Sequence, residues 1–288
     1  MTSRPSWLKV KAGNSEGFQE TLEIVRNCGI HTVCEEALCP NIGECWKNKT
    51  ATFLIMGDIC TRNCGFCNIT PGTPRCLDQK EPEKVAYAVR SLGLKHVVIT
   101  CVTRDDLEDG GASHFANVIN AIHNTSKEST IEILTSDMKG NKNSIRIIAQ
   151  SRPDVFSHNM EVVRRLHNIV KKYPSNYDRS LQFLRDIKEM YPKMITKTGI
   201  MVGIGENIDD LKEFFEDVVK VGVDILTIGQ YMMPSPKHYP MDRYVTPEEF
   251  EEFKNIALSY GIKQVVSSPL VRSSYKAHES YKKICHLK

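Results

Sequence analysis

Residues 60–67, Cys60-Thr-Arg-Asn-Cys64-Gly-Phe-Cys67, place three cysteines, here called the first triad, at a C-x3-C-x2-C spacing. Three thiolates from one short loop can bind three corners of a [4Fe–4S] cube and leave its fourth iron open to a small chelating ligand. Phe66 is either a packing residue or an aromatic edge for an adenine, and the surrounding loop favours the second role. The stretch therefore predicts an iron–sulfur site, with the rest of the chain as its scaffold.

A second group of three cysteines, Cys34, Cys39 and Cys45, here called the second triad, follows a C-x4-C-x5-C spacing. These spacings predict a wrapped loop and not one face of a helix. A zinc site is the alternative, but zinc sites usually contain C-x2-C pairs. A second cluster that lacks one local protein ligand is therefore favoured. The other four cysteines are interpreted as packing or incidental thiols: Cys28, Cys76, Cys101 and Cys285.

The composition is that of a soluble globular protein with a sizeable core, since 41% of the 288 residues are hydrophobic and 25% are charged. A net charge of +3 argues against a nucleic-acid-binding surface spread over the whole protein. No run approaches the ~18 apolar residues of a membrane span, and the N-terminus lacks the apolar core of a signal peptide. Cysteines grouped as metal ligands are typical of a reducing compartment, so a cytoplasmic protein is predicted. Because no heptad or repeat suggests assembly, we expect a monomer.

Beyond residue 50, apolar runs of strand length alternate with segments of helical periodicity. Six strands alternating with helices imply parallel βα units, in either a barrel or an open doubly wound sheet. No G-x-G-x-x-G follows the first strand, which disfavours a dinucleotide-binding fold. The predicted strands are 52–57, 96–101, 131–135, 154–157, 194–202 and 224–228, with a further one at 264–267, and the predicted helices are 15–28, 81–92, 113–123, 143–150, 180–190, 207–221 and 246–260.

In a βα barrel, the functional site forms where the strands end. The first triad follows the first predicted strand, and Asn159 follows the fourth. Gly203, Gly205 and Glu206 follow the fifth strand, where glycines allow a ligand to approach the backbone closely. The Glu206 carboxylate could hold an ammonium group of that ligand. Because loops are polar in general, a role in a cap or a turn is the alternative for each of these residues.

The C-terminal stretch Val271-Arg-Ser-Ser-Tyr275 contains a pair of serines, which by themselves usually indicate a turn. The pair gains interest because the second triad lacks a fourth ligand. A serine oxygen is a poorer ligand for iron than a thiolate, so its bond to iron breaks more easily. Such a ligand would suit a cluster that comes apart during the reaction.

The first triad resembles the cluster loop of the radical S-adenosylmethionine superfamily. The two cysteine motifs together, with Arg272-Ser-Ser-Tyr275 near the C-terminus, narrow the resemblance to the lipoyl synthase family. The resemblance runs from about residue 20 to about residue 278. Further matching stretches are GDICTRNCGFCN, VTRDDLEDGGASHFA, HNMEVVRRL and LTIGQYMMPSPKHYPMDRYVTPEEF.

The fold that this resemblance implies is an α/β partial (β/α)6 barrel of the TIM type, closed by an N-terminal extension and a C-terminal tail. The implied domains are an extension at 1–50 with the second triad, the barrel at 51–262, and the tail at 263–288. One departure is that family members often have threonine after the Gly-x-Gly-Glu of the fifth strand, where this chain has Asn207.

The implied activity is that of a sulfurtransferase with two [4Fe–4S] clusters. The first triad would bind the cluster that holds S-adenosylmethionine, whose reductive cleavage gives methionine and a 5′-deoxyadenosyl radical. The second triad and Ser274, with Ser273 the less favoured serine, would bind an auxiliary cluster that donates its own sulfide. Two rounds would insert sulfur at C6 and C8 of an octanoyl chain. The residues assigned to S-adenosylmethionine are Phe66, Asn159, Gly203, Gly205 and Glu206.

The implied partners are an octanoylated lipoyl-carrier domain, from a 2-oxoacid dehydrogenase E2 subunit or a glycine cleavage H protein, and an electron donor such as flavodoxin or ferredoxin. A radical enzyme that inserts sulfur into RNA or a ribosomal protein is an alternative, but no stretch is left for a nucleic-acid-binding module. An iron–sulfur electron carrier should have four cysteines for each cluster. A zinc-stabilised binding module is the third alternative, which iron and sulfide analysis would test.

Overall fold

A computed structural model describes residues 4–10, 15–48 and 50–286 of the chain. These residues form two compact units. The first unit comprises residues 10, 15–48, 50–63 and 68–154, and the second comprises 4–9, 64–67 and 155–286. The predicted domain boundaries after residues 50 and 262 remain predictions. No helix within the described ranges combines the length and the apolar character needed to cross a bilayer.

The first unit pairs a parallel sheet with helices. Its strands are β1 (His31–Thr32), β2 (Thr52–Ile55), β3 (Ile59–Cys60), β4 (Thr70–Pro71), β5 (His96–Cys101) and β6 (Thr130–Leu134), and its helices are α1 (Glu16–Cys28), α2 (Val33–Glu36), α3 (Ile42–Lys47), α4 (Glu81–Leu92), α5 (Ala112–Thr125) and α6 (Lys142–Gln150).

In the first unit, β5 lies between β2 and β6, and all three strands are parallel. The short strand β1 pairs with β2 in the antiparallel direction, and β3 pairs with β4 in a separate two-stranded ribbon. Helices α1 and α4 end at Gly29 and Gly93, which adopt left-handed conformations with φ of 58° and 62°. Glycine takes this conformation at little cost, so the sequence predicts both ends correctly.

The second unit also combines a parallel sheet with helices. Each of its four strands pairs in parallel with the next strand along the chain. The strands are β7 (Val155–Ser157), β8 (Ile195–Val202), β9 (Ile225–Gln230) and β10 (Gln264–Ser267), and the helices are α7 (Arg164–Val170), α8 (Tyr177–Met190), α9 (Ile208–Lys220), α10 (Pro247–Ser259) and α11 (Ala277–His286).

The C-terminal helix α11 is anchored to one end of the strands of the second unit. Its Ile284 packs against Val155, Ile195 and Ile225, and all four side chains are buried. The last three are the first residues of β7, β8 and β9. Within the second unit, the tail therefore covers the end of the strands opposite to the one from which Asn159, Gly203 and Glu206 extend.

The predicted strands and helices are confirmed, with ends that differ by a few residues. The sequence analysis did not anticipate β1, the β3–β4 ribbon, α7 or α11, because strands of two residues and short helices of mixed polarity carry little periodic signal. The second triad also differs from its predicted wrapped loop. Cys34 lies in α2 and Cys45 in α3, and only Cys39 lies in the turn that joins these helices.

Helix α9 has a capping box. The Asn207 side chain accepts hydrogen bonds from the N–H groups of Asp209 and Asp210, both at 2.9 Å, and the Asp210 carboxylate accepts the N–H of Asn207. Threonine is also a good N-cap residue, so the departure from the family pattern retains the physical role.

We expect Asn207→Ala to lower the free energy of unfolding by about 1 kcal/mol, because two N–H groups lose their acceptor. Urea denaturation would measure this change, and Asn207→Thr should retain most of the stability. Asn124→Ala, in the exposed last turn of α5, is a matched control that removes no N-cap. Equal midpoints for Asn207→Ala and the wild type would contradict the prediction.

Candidate functional site

The first cysteine of the first triad is held by backbone donors. Cys60 ends strand β3, and its Sγ accepts hydrogen bonds from the N–H groups of Arg62 at 3.4 Å and Thr103 at 3.3 Å. N–H groups directed at a cysteine sulfur favour the thiolate and tune the potential of a cluster bound to it. The position of the Cys60 sulfur is therefore fixed by two backbone segments, its own loop and the loop after β5.

The segment that begins with Cys60 is joined to the stretch that follows β5. The N–H and the hydroxyl of Thr61 both donate to the carbonyl of Thr103, at 3.0 and 2.9 Å. The N–H of Asp105 in turn donates to the Thr61 hydroxyl at 3.0 Å. Because three hydrogen bonds connect these two segments, the position of Cys60 depends on the loop after the second predicted strand.

Cys64–Cys67 belong to the second unit and are fixed there through their backbone. The Gly65 N–H donates to the Val170 carbonyl at 2.7 Å, and the Tyr239 N–H donates to the Gly65 carbonyl at 2.7 Å. A Cβ at Gly65 would lie only 3.2 Å from the Val170 oxygen, which favours glycine. Phe66 is partly buried against the hydrophobic core of this unit. Packing is thus one role of Phe66, and its contact with an adenine stays a prediction.

The third cysteine is anchored by a histidine that the sequence analysis did not single out. The Nε2 of His238 lies 3.1 Å from the carbonyl oxygen of Cys67, and its Nδ1 lies 2.9 Å from the hydroxyl of Ser235. A carbonyl can only accept, so Nε2 carries a proton and donates to the Cys67 carbonyl. The only sequence signal was the position of His238 within a long family-matching stretch.

The second triad lies within the first unit on two short helices. Cys34 is buried, while Cys39 and Cys45 are partly buried. The turn between the helices passes through Leu38, which adopts a left-handed φ of 50°, and the Cys39 N–H donates to the Cys34 carbonyl at 3.1 Å. The Thr50 N–H donates to the Cys45 carbonyl at 2.8 Å. The three cysteines are therefore placed by local backbone structure.

The thiols of the second triad interact electrostatically. Burial raises the pKa of Cys34 to about 11 and the pKa of Cys45 to about 12. The charge of Cys39 raises both pKa values further, and Cys34 adds to the shift at Cys45. Three thiolates this close repel one another, and a cationic metal centre would allow all of them to ionise. The donor set therefore fits an iron–sulfur cluster.

The described residues include no three His, Cys, Asp or Glu side chains arranged around one metal ion. A [4Fe–4S] cube makes a different demand, because each thiolate binds its own iron. The predicted fourth ligand, Ser274, lies half-buried in the turn before α11 of the second unit, where its carbonyl accepts the Ala277 N–H at 3.3 Å.

The loop after β8 has a structural reason for each of its glycines. Gly203 has φ of 79°, and a Cβ there would collide with the Gln230 amide and the Arg243 carbonyl. Gly205 has φ of 110°, which favours glycine, while a Cβ there would meet no other atom within 4 Å. At Gly203, close protein packing therefore explains the glycine without a ligand.

The Glu206 carboxylate folds back onto its own loop. It accepts the N–H groups of Gly203 at 2.7 Å and Ile204 at 3.0 Å. Burial raises the pKa of Glu206, while these two hydrogen bonds act in the opposite direction. A carboxylate has about four acceptor positions, so these backbone bonds do not use all of them.

Asn159 belongs to a charged cluster at the end of β7. Its carbonyl accepts the Lys171 ammonium at 3.1 Å, and its side chain hydrogen-bonds to Glu161. Glu161 has an unusual left-handed φ of 71°, held by backbone hydrogen bonds to Gly199 at 2.9 Å and Met201 at 2.8 Å. Burial raises the pKa of Glu161, and Lys171 partly offsets this. In the sequence, Glu161 appeared only within the family-matching stretch HNMEVVRRL and was not selected as a site residue.

Sequence comparisons match this chain to a known family. The model of the Radical SAM superfamily matches residues 54–218. The chain is 49% identical over 280 residues to the lipoyl synthase of Alkaliphilus metalliredigens, which covers 97% of this chain and 96% of that protein. It is 50% identical over 276 residues to the lipoyl synthase of Rubrobacter xylanophilus, and this alignment covers 96% of this chain and 86% of that protein.

Solved structures share the fold at low identity. The FeFe-hydrogenase maturase HydG from Carboxydothermus hydrogenoformans superposes with a TM-score of 0.57 at 14% identity, over 93% of this chain and 78% of that chain. Methylornithine synthase superposes with a TM-score of 0.55 at 12% identity, over 77% and 73%. Identities this low show the fold alone. With the superfamily match, they confirm the predicted α/β fold of the partial TIM-barrel type.

Proposed function

The chain belongs to the lipoyl synthase family of the radical S-adenosylmethionine superfamily, and from this membership we propose that its two cysteine triads bind two [4Fe–4S] clusters with different tasks. The family activity inserts two sulfur atoms, at C6 and C8 of a protein-bound N6-octanoyl-lysine, and gives N6-lipoyl-lysine. S-adenosylmethionine and one [4Fe–4S] cluster belong to the superfamily chemistry. The auxiliary cluster is our proposal, and the placement of Cys34, Cys39 and Cys45 on two short helices and the turn between them carries it.

When bound, the first cluster would supply the electron that cleaves S-adenosylmethionine, and the second would supply the sulfide. Cys60, Cys64 and Cys67 would hold the first cluster. The N–H groups of Arg62 and Thr103 would stabilise the charge on the Cys60 sulfur. A loop that contributes three thiolates leaves one iron without a protein ligand, as binding of a small chelating cofactor requires.

The second triad and Ser274 would hold the auxiliary cluster. Burial of Cys34 and partial burial of Cys39 and Cys45 limit the access of water and oxygen to a cluster that must give up sulfide. Ser274 is half-buried and belongs to the matched Arg272-Ser-Ser-Tyr275 motif. Its weaker bond to iron makes it the ligand that would be released first.

We assign S-adenosylmethionine contacts to Phe66, Asn159, Gly203, Gly205 and Glu206. The negative charge of the Glu206 carboxylate and its remaining acceptor capacity support contact with the ammonium group. The open space beside Gly205 supports close approach of a ligand to its backbone. The side chain of Phe66 is only partly buried, so part of its ring remains available for an adenine.

The substrate is a lipoyl-carrier protein, as the family activity requires. We propose that this carrier is an octanoylated domain of a 2-oxoacid dehydrogenase E2 subunit or a glycine cleavage H protein. The proposed electron donor is a flavodoxin or a ferredoxin, and the proposed compartment is the cytoplasm. We propose that the enzyme acts as a monomer, and a doubled mass in light scattering would contradict this.

The function is tested by anaerobic reconstitution with iron and sulfide. Two [4Fe–4S] clusters correspond to about eight iron atoms per chain. Dithionite, S-adenosylmethionine and an octanoyl-lysine peptide are then added, and mass spectrometry follows deoxyadenosine and the peptide. A peptide that gains two sulfur atoms supports the proposal. Deoxyadenosine without sulfur gain would indicate a radical enzyme with another substrate, and a protein without iron would return the cysteines to the zinc alternative.

The anchor on Cys67 leads to a separate prediction. We expect His238→Ala to make the reconstituted protein lose iron to a chelator several-fold faster, because the Cys67 carbonyl loses its donor. His238→Gln should retain most of the wild-type rate, since its amide can also donate. His123→Ala is the matched control, because His123 Nε2 also lies near a backbone carbonyl, that of Arg152 at 3.3 Å. Equal rates for the His238→Ala and His123→Ala proteins would contradict the prediction.

A further inference from the structure

Arg62, which lies between the first two cysteines of the first triad, makes a buried ion-pair cluster. Only 5% of its side chain is exposed. Its guanidinium donates to both carboxylate oxygens of Asp105, at 2.8 and 2.9 Å, and to Asp137 at 2.5 Å. A guanidinium keeps its proton in proteins and can only donate hydrogen bonds. The guanidinium therefore stays charged, and the paired bonds to Asp105 fix its orientation.

The two carboxylates come from different loops of the first unit. Asp105 follows β5, and Asp137 follows β6. Each is itself held in place: the Asp105 N–H donates to Thr61, and the Asp137 carboxylate accepts the Lys139 N–H at 3.3 Å. Arg62 therefore connects the cysteine loop to the ends of two neighbouring strands.

The ion pairs hold the side chain of Arg62, whose backbone N–H also contacts the Cys60 sulfur. The backbone N–H of Arg62 is one of the two donors to that sulfur, so the bonds of the side chain fix the direction of the N–H. The other donor, Thr103, lies two residues before Asp105 in the same loop. The contact between Arg62 and Asp105 therefore joins the two segments that supply the N–H donors to the sulfur.

The ion pairs of Arg62 also place charged groups near the Cys60 sulfur. The Lys139 ammonium donates to the Asp105 carbonyl at 2.6 Å, so the Arg62 guanidinium and Lys139 together balance the two carboxylates in formal charge. Lys139 is exposed to water, whereas the Asp137 side chain is only 1% exposed. Charges that are shielded from water act more strongly and are screened little by salt. A fixed negative charge beside a cluster ligand makes the addition of an electron less favourable, whereas hydrogen bonds to the sulfur make it more favourable.

We propose that Arg62, Asp105 and Asp137 are positioning residues that set the reduction potential of the cluster bound by the first triad. The proposal rests on the function proposed above, in which Cys60, Cys64 and Cys67 bind a [4Fe–4S] cluster. Arg62 holds the N–H donors on the Cys60 sulfur, and Asp137 supplies the negative charge that lowers the potential.

The test is a potentiometric titration of the reconstituted full chain, followed by electron paramagnetic resonance. The signal that changes on addition of S-adenosylmethionine identifies the cluster with the open iron. Asp137→Asn keeps an acceptor for Arg62 but removes one charge. We expect the reduced-to-oxidised ratio of this cluster at a given potential to rise about tenfold, equivalent to 59 mV for a one-electron couple. Asp137→Glu keeps the charge and should titrate close to the wild type.

Asp178→Asn is the matched control, because Asp178 also bonds an arginine at 2.5 Å, through Arg164, but is 74% exposed. Its cluster should titrate as in the wild type. Unchanged potentials in Asp137→Asn at normal iron content would overturn the proposal and leave the cluster assignment standing. A wild-type protein that binds no iron would overturn the proposed function itself.

Asp105→Asn is a second variant in case Asp137→Asn does not retain its cluster. In that case an increased ratio in Asp105→Asn supports the proposal, and an unchanged ratio overturns it. If both variants keep the wild-type circular dichroism but lose the cluster, Arg62 and its partners only maintain the loop, and their proposed role in the potential is wrong.

Discussion

Cys34→Ala is expected to form deoxyadenosine from S-adenosylmethionine at near the wild-type rate and to give no lipoyl product. Cys34 is the buried member of the second triad, and its removal takes one thiolate from the proposed auxiliary cluster. The first triad, on a separate loop, keeps its three thiolates. Radical formation should therefore continue while sulfur insertion is lost. Chromatography would measure deoxyadenosine, and mass spectrometry would measure the sulfur content of the octanoyl peptide.

Cys28→Ala is the matched control for this variant. Cys28 is the last residue of α1, lies in the same unit and is also partly buried, but belongs to neither triad. It should retain both reactions and about eight iron atoms per chain, whereas Cys34→Ala should retain about four. Normal lipoyl product from Cys34→Ala would overturn the division of tasks between the triads.

Cys64→Ala should lose both reactions, with deoxyadenosine formation reduced to background. Cys64 is the middle ligand of the first triad, and two thiolates cannot hold a cube with a single open iron. The variant should still bind about four iron atoms through the second triad, because those cysteines lie on α2, α3 and the turn between them. Iron analysis and deoxyadenosine formation without a peptide would measure both effects.

The control for this second variant is Cys76→Ala. Cys76 is exposed, lies shortly after the same loop and belongs to neither triad, so its removal should change neither iron content nor activity. Deoxyadenosine formed at the wild-type rate by Cys64→Ala would remove the first triad from radical chemistry. Loss of all iron from Cys64→Ala would show that the two clusters do not bind independently.

Several parts of the fold were predictable because their causes are local. Helix α10 begins at Thr246, whose hydroxyl accepts the N–H of Glu249, as the residues Thr246-Pro-Glu-Glu249 predict. Gly29 and Gly93 end their helices in the left-handed conformation. Each of these three signals involves residues at most four apart in the sequence, and none of them needs a distant partner. The cysteine triads are also local patterns, because each lies within twelve residues of the sequence, and their role as cluster ligands was proposed from spacing and resemblance.

The loop after β8 shows where sequence analysis gave only part of the answer. Gly203 and Gly205 were recognised as unusual, and both have positive φ. The reason at Gly203 was different from the expected one, because Gln230 and Arg243 approach its Cα from other segments. Sequence pattern can show that a glycine is needed, but the neighbouring atoms that require it come from tertiary packing.

The sequence by itself determined the family, the alternation of strands and helices, and the two cysteine triads, because each depends on neighbouring residues. The tertiary structure alone decided what surrounds those cysteines. Arg62 meets Asp105 and Asp137 across 43 and 75 residues, and His238 reaches the carbonyl of Cys67 across 171 residues. Such partners leave no periodic trace in the sequence, since folding brings them together through the parallel order of the strands and not through their spacing.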